Sequence, residues 1–354
     1  MIQKSNSTVS VNLSTIGSNI ETLSTHVQDN VRIMGVVKAD AYGHGATEVA
    51  EYIQPQVDAF AVNDIEEGIE LREHGISKPI LVFAVPEKRF VTEYRVHNLT
   101  ATVSAIEHFD WLPAGTSYHL NFDTGMGRLG FLPEQVETVA ELVDNNADLF
   151  CTGVYSHLAT ADTAGSERVI RQYKLVKKIR SYLNQELTIH IANTGGTVFY
   201  DFDQFSMVRL GIGMYGYAPG DSVIEGIQPA LTWKSRLVQV KKIQATDAIS
   251  YGAEWQAPQD GYIGVIPVGY EDGIKRNLSG NLTVLIGGKR YDVVGNITMN
   301  FCMVYLRSDQ YSVGEKVELL FQGNTAKEWA QKVGTIPYEI LTSINPKIPR
   351  TYIS

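Results

Sequence analysis

Lys38 closes a continuous apolar run, Ile33 to Val37, and a tyrosine follows four residues later, just ahead of Gly43-His44-Gly45. An apolar run of that length, rich in β-branched residues, reads as a strand buried on both faces. The end of such a strand would hold Lys38 where a buried charge must be paired or neutralised. A lysine kept partly neutral is a nucleophile, and its natural electrophile is an aldehyde. Pyridoxal phosphate is an aldehyde that also carries a phosphate, within reach of Tyr42 and the amides of the loop. The same residues would also suit a surface lysine just past a strand.

Other residues of chemical character recur beside glycines. Asn121-Phe122-Asp123-Thr124-Gly125-Met126-Gly127-Arg128-Leu129-Gly130 sets three glycines around an arginine. Glycine lets a backbone approach a ligand closely. The arginine could fork onto a carboxylate or simply lie on the surface of a turn. His157, after Tyr155-Ser156, could be a cofactor contact or an ordinary core or surface histidine. Arg209 precedes Leu210-Gly211-Ile212-Gly213-Met214-Tyr215-Gly216. Further on, Ser250-Tyr251-Gly252 and Gly269-Tyr270-Glu271-Asp272-Gly273 each place a tyrosine beside a glycine, a pattern that hairpin turns also produce.

These groups act together only if the fold gathers them. Apolar, strand-like runs occur at 33–38, 59–62, 79–84, 100–104, 117–122, 150–156, 188–191 and 206–210. Helix-like segments lie between them: 47–52, 64–74 with Asp64 as N-cap, 133–143 opened by a proline, and 167–183 with apolar residues at helical spacing. Strands alternating with helices in this way predict a (β/α)8 barrel, with a doubly wound sheet as the other solution. Barrel chemistry sits at the carboxyl ends of the strands, and loops after strands seven and eight often take phosphate. Those ends are, in order, Lys38 with Tyr42, Asp123 to Arg128, Tyr155 to His157, His190 to Thr194, and Arg209. Past Pro229 the texture changes to short strands with glycine turns, the first read over 231–243, which reads as an all-β domain that the strand-like run 9–13 could join. The expected division is a barrel over 10–225 and a C-terminal β domain over 226–354, with residues 1–9 free to pair with the latter. A short helix is expected at 326–333.

Bulk properties narrow the partners. The 354 residues suggest about two domains. Apolar (44%) and charged (19%) contents suit a protein with a sizeable core. A net charge of −9 with no basic stripe argues against nucleic acid. No stretch reaches the roughly 18 apolar residues of a membrane span, and the polar N-terminus carries no apolar leader. Cys151 and Cys302 fit no metal-binding spacing, so reduced thiols, a cytoplasmic location and no metal are expected.

Six blocks together carry a resemblance: Lys38 to Gly45, Asp123 to Gly130, Ser156-His157-Leu158-Ala159-Thr160-Ala161-Asp162, Val208 to Gly216, Ser250 to Gly252, and Gly269 to Gly273. In sequence and over almost the whole chain, they resemble the alanine racemases, pyridoxal-phosphate enzymes of fold type III. The resemblance implies that Lys38 holds the cofactor as a Schiff base and serves one face of the substrate α-carbon. Tyr251 would serve the opposite face, with His157 orienting it and Arg209 facing the pyridine nitrogen. It places Tyr42, Asn193, Thr194, Gly211 and Ile212 around the cofactor, mainly its phosphate. Arg128 and the Met299 backbone would bind the substrate carboxylate, and Tyr270 and Asp162 would line a narrow gate. It further implies a homodimer with shared active sites, a small amino-acid substrate, and D-alanine made for peptidoglycan.

Three positions depart from the family pattern. Asn121 stands where a carbamylated lysine is common, so either its amide or a bound anion near Arg128 would fill that role. Asn300 replaces a usual aspartate. Pro346 stands where the family has a tyrosine, which would enlarge the pocket. The alternative activity is therefore a serine or broader-specificity amino-acid racemase on the same scaffold.

Overall fold

The computed structural model describes residues 6–203 and 205–354. A first strand, β1 (Thr8–Asn12), leads into a helix, Leu13–Ser24, whose start is capped by Asn12 Oδ1 accepting from the Thr15 amide. Eight parallel strands follow: β2 (Arg32–Val36), β3 (Ala59–Val62), β4 (Ile80–Val82), β5 (Ala101–Val103), β6 (Ser117–Asn121), β7 (Phe150–Tyr155), β8 (Thr188–His190) and β9 (Met207–Leu210). They fall within a residue or two of the expected runs. β3 and β9 are buried throughout, which explains why they read as unbroken apolar stretches.

Two four-stranded arcs, in the orders β4-β3-β2-β9 and β5-β6-β7-β8, make a ring. Leu81 bridges Thr100 at one seam. At the other, the Ser206 amide donates to Ile189 O and the Arg209 amide to Ala192 O. The ring closes, so the barrel holds and the doubly wound alternative falls away. Helices follow the strands as anticipated. Asp64 caps Ile65–Glu73 by accepting from the Glu67 amide, and Glu167–Arg180 buries Val169, Gln172, Val176 and Ile179. The Leu13–Ser24 helix was not anticipated, although Ile16, Ile20 and Leu23 supply its buried stripe.

The segment after β2 has an unusual conformation. Ala39, Asp40, Ala41 and Tyr42 all have φ between +50° and +55°, and Gly43 continues at +79°. Lys38–Gly43 is therefore a left-handed helical turn. For L-residues that hand costs about 1–2 kcal/mol each, so surrounding contacts must impose it.

Contacts group residues 16–41 and 45–228 into one unit, and residues 6–15, 42–44 and 229–354 into another. β1 spans Thr8–Asn12, within a residue of the strand expected at 9–13. It lies in the second unit between Leu231–Arg236 (antiparallel) and Arg350–Ile353 (parallel). That unit holds a nine-stranded sheet. The run 231–243, read as one strand, breaks into Leu231–Arg236, which pairs with Lys316–Leu320, and Gln239–Ile243, which pairs with Gly261–Ile266. Leu237, fully buried between them, marks the change of partner. The Ala326–Val333 helix is where the sequence put it, and Pro337–Thr342 adds a second. Among the described residues no helix is long and apolar enough to cross a membrane.

Candidate active site

Lys38 emerges where β2 ends. The Val37 amide still donates to Ala61 O of β3, and the chain then turns left-handed. Its Nζ lies 5.7 Å from the Phe83 ring centroid. Burial lowers the lysine's pKa, the positive charges of Arg128 and Arg209 lower it further, and Glu67 opposes them. A lysine so placed keeps more free amine at neutral pH than an exposed one does.

Arg209, 2% exposed, projects from β9 into the barrel. Its Nη1 donates to His190 Nδ1 at 2.7 Å and to His190 O at 3.1 Å. Its Nη2 donates to Ser156 O (2.9 Å), Ile191 O (3.1 Å) and His157 Nδ1 (3.2 Å). Among the described residues these bonds engage Nη1 and Nη2 alone, which leaves the Nε–H for another acceptor. A guanidinium only donates, so the ring tautomers follow. His190 Nδ1 must be bare, its Nε2–H donates to His119 Nδ1 at 2.9 Å, and the His119 proton sits on Nε2. By the same logic His157 carries its proton on Nε2. Burial, reinforced by Arg209, holds His157 at about 3, and burial with Arg32 and Arg209 holds His119 at about 3. His190 is driven well down by the same causes. All three rings are neutral at physiological pH. Arg209 itself is lowered to about 10 by burial and stays charged.

Arg128 sits on a loop built around one carboxylate. Asp123 Oδ1 accepts from the amides of Gly125, Met126 and Gly127 (2.9, 2.9 and 3.0 Å), and Oδ2 accepts from the Arg128 amide at 2.9 Å. Partial burial would raise the Asp123 pKa, but the four amides win and hold it low. Gly130 closes the loop at φ +130°, where a Cβ would lie 2.4 Å from the Asp123 nitrogen. Buried Gln172 ties this loop to the next: its Nε2 donates to Thr124 Oγ1 and to His157 O, and its Oε1 accepts from the Ala159 amide. Asn121 Nδ2 donates to Leu129 O at 3.2 Å, so its amide supports the loop backbone rather than the guanidinium.

On the far side of Arg209, Thr194 Oγ1 accepts from the Gly211 and Gly213 amides at 3.2 and 3.4 Å. Asn193 caps Thr194–Phe199 by accepting from the Gly196 amide. Ile212 is buried at the start of the following turn. Asp162 is exposed in the loop after β7.

The remaining expected residues lie in the second unit. Tyr42 packs its ring 5.8 Å from Tyr338. Tyr251 is 73% exposed, and its carbonyl accepts from Asn296 Nδ2. Met299 is 53% exposed, on a loop whose 298 and 299 carbonyls accept from the Tyr270 and Glu271 amides. Asn300 Nδ2 donates to Glu271 Oε2. Pro346 is exposed.

The barrel thus brings Lys38, Arg128, His157 and Arg209 together, with one carboxylate, Glu67, among three cations. Such a donor set demands anionic ligands, and a phosphate with a substrate carboxylate answers it. A lysine whose ammonium is disfavoured, beside an unspent Nε–H, suits an aldehyde on a nitrogen heterocycle, so the residues fit pyridoxal phosphate. Sequence reasoning missed His119 and Glu67. His119 sits at an inward position of β6, which alternation could have revealed. Glu67 looked like an ordinary acid in a first helical turn.

Residues 11–219 match the sequence model of the alanine racemase N-terminal domain, and residues 230–352 that of its C-terminal domain. The alanine racemase of Streptococcus gordonii is 38% identical over 97% of this chain and 96% of its own length. Among solved structures, alanine racemase of Clostridium difficile 630 superposes with a TM-score of 0.93 at 32% identity, covering 99% of this chain and 96% of that one. The Bacillus anthracis alanine racemase with bound L-Ala-P gives 0.91 at 32%, covering 99% and 95%.

Proposed function

Because the chain belongs to the alanine racemase family, whose members are pyridoxal-phosphate-dependent isomerases, we propose that it interconverts L-alanine and D-alanine by two-base proton transfer. The cofactor supplies an electron sink for the carbanion formed when the α-proton leaves. Lys38 would hold the cofactor through its amine and would take or return the α-proton on one face. Tyr251 does the same on the opposite face, so removal by one base and return by the other inverts the centre. His157, with its proton on Nε2, has a donor to orient the tyrosine oxygen. Arg209 would face the ring nitrogen with an Nε–H that it does not give up. Such a contact would leave the nitrogen unprotonated and would favour plain proton transfer over transamination.

Arg128 and the Met299 backbone take the substrate carboxylate, and Tyr42, Asn193, Thr194, Gly211 and Ile212 surround the phosphate side. The exposure of Tyr251 and Met299 supports a head-to-tail homodimer in which they complete the partner's site, with Tyr270 and Asp162 at the gate. An anion beside Arg128 would meet the charge that Asn121 does not. The product would supply peptidoglycan precursors in the cytoplasm.

The observation that carries this reading is the half-buried Lys38, its ammonium disfavoured by burial and by the charges of Arg128 and Arg209, with Arg209 bonded, among the described residues, through Nη1 and Nη2 alone. Borohydride reduction followed by peptide mapping should label Lys38. A Tyr251→Phe variant should keep that label while losing racemisation of L-alanine. Label elsewhere, or an active Tyr251→Phe variant, would refute the scheme. Pro346, standing where a ring would narrow the pocket, favours a second reading with serine as an additional substrate. Selectivity for L-alanine over L-serine should then rise about tenfold in Pro346→Tyr, and an unchanged ratio would remove serine from consideration.

A further inference from the structure

Four consecutive L-residues in the left-handed region leave the lysine-bearing segment in need of an external hold. Inside the turn the Ala41 amide reaches Val37 O, and Asp40 accepts from the Gly45 and Ala46 amides. The first left-handed residue has a partner from outside. The Ala39 amide donates to Glu67 Oε1 at 2.5 Å, and the Asn63 amide donates to Glu67 Oε2 at 2.6 Å. Asn63 directly follows β3, the strand paired with β2. One carboxylate thus ties the two adjacent strand ends together, and charge-assisted bonds of this length are the strong kind. Glu67 is fixed in turn, because its own amide donates to the Asp64 cap of its helix.

We propose that Glu67 is the positioning residue for Lys38, its two-armed carboxylate locking the left-handed turn so that the lysine amine points into the barrel mouth. The inference rests on Lys38 being the cofactor-bearing base. It adds a residue that a helix-start acid would not suggest. Glu67 also brings the one negative charge that faces Lys38, set against Arg128 and Arg209. Asp64 is the charged neighbour facing Glu67 itself, and burial followed by that neighbour keeps its carboxyl above the usual range.

The full-length Glu67→Gln variant tests this, because glutamine keeps one acceptor but presents an N–H to the other amide. The expected result is a fall in kcat of about 10- to 100-fold with KM changed less than about threefold. Amide exchange at Ala39 and Asn63 should rise at least about tenfold. The pH midpoint of Lys38 acylation in cofactor-free protein should move down, since a carboxylate that favours the ammonium is gone. A passive structural acid would lower thermal stability without moving that midpoint. Kinetics, exchange and midpoint that all match wild type would overturn the proposal. Should Glu67→Gln fail to fold, wild-type exchange decides. Protection at Ala39 and Asn63 must fall together as Glu67 protonates, and independent loss overturns the clamp. Borohydride labelling away from Lys38 would sink the Schiff-base reading alone, while the exchange data would still judge the clamp.

Discussion

Truncating His119 isolates the tautomer chain behind Arg209. In His119→Leu the His190 Nε2–H loses its acceptor in a dry interior, a loss of about 1–3 kcal/mol. His190 is then free to flip or change tautomer, and Arg209 Nη1 loses a fixed partner. The variant should unfold several degrees lower, and its racemisation should drop in kcat more than in KM. Thermal unfolding and initial rates check this, and an unchanged kcat would mean that the His119–His190 pair is packing alone. At this scale the sequence was informative about Lys38, Arg128 and Arg209, because cations beside glycines or at strand ends stand out. It was silent about Glu67, whose role depends on two amides brought near by neighbouring strands.

Among the elements, the Asp123 loop is the one that would present Arg128 to the substrate carboxylate. Four amides converge on one side chain, so the loop's shape is set by a charge rather than by packing. Asp123→Ala should free the Arg128 loop and raise KM for L-alanine about 10- to 100-fold with a smaller change in kcat. Steady-state kinetics at several substrate concentrations decide it. The barrel strands were legible because burial on both faces writes an unbroken apolar run. The Leu13–Ser24 helix had a readable stripe at Ile16, Ile20 and Leu23 and a capping Asn12. The left-handed turn had no such signal, since Ala-Asp-Ala-Tyr is an ordinary helical or loop composition and nothing local favours φ near +50°.

For the whole molecule, the buried imidazoles predict acid sensitivity. His119 and His190 have folded pKa values pushed below the ordinary value, His119 to about 3. Below about pH 6.5 the unfolded chain binds protons that the folded chain refuses, so stability falls as pH drops through that window and rises again with pH. With His157, also held at about 3, three such rings give about 4 kcal/mol per pH unit once the pH is well under 6.5. Thermal midpoints measured from pH 7 to pH 4.5 should show this slope, and His119→Leu should flatten it by about a third. An equal slope in both proteins would assign the acid sensitivity to other groups, the depressed carboxyl of Asp123 first among them.

By itself the sequence determined the alternation of strand and helix, the switch to an all-β texture near Pro229, and the residue types of the site. Those follow from local patterns: burial on one or both faces, glycine at turns, and charge where apolar runs stop. The tertiary structure alone decided that the strands close into a ring, that β1 sits between Leu231–Arg236 and Arg350–Ile353, and that 231–243 breaks in two. It also decided how the site is held: the hand of the turn after Lys38, the carboxylate that grips it, and the direction of proton donation from Arg209 to His119. These depend on groups far apart in the chain meeting in a dry interior, where each donor must find an acceptor, and no local window of sequence carries that constraint.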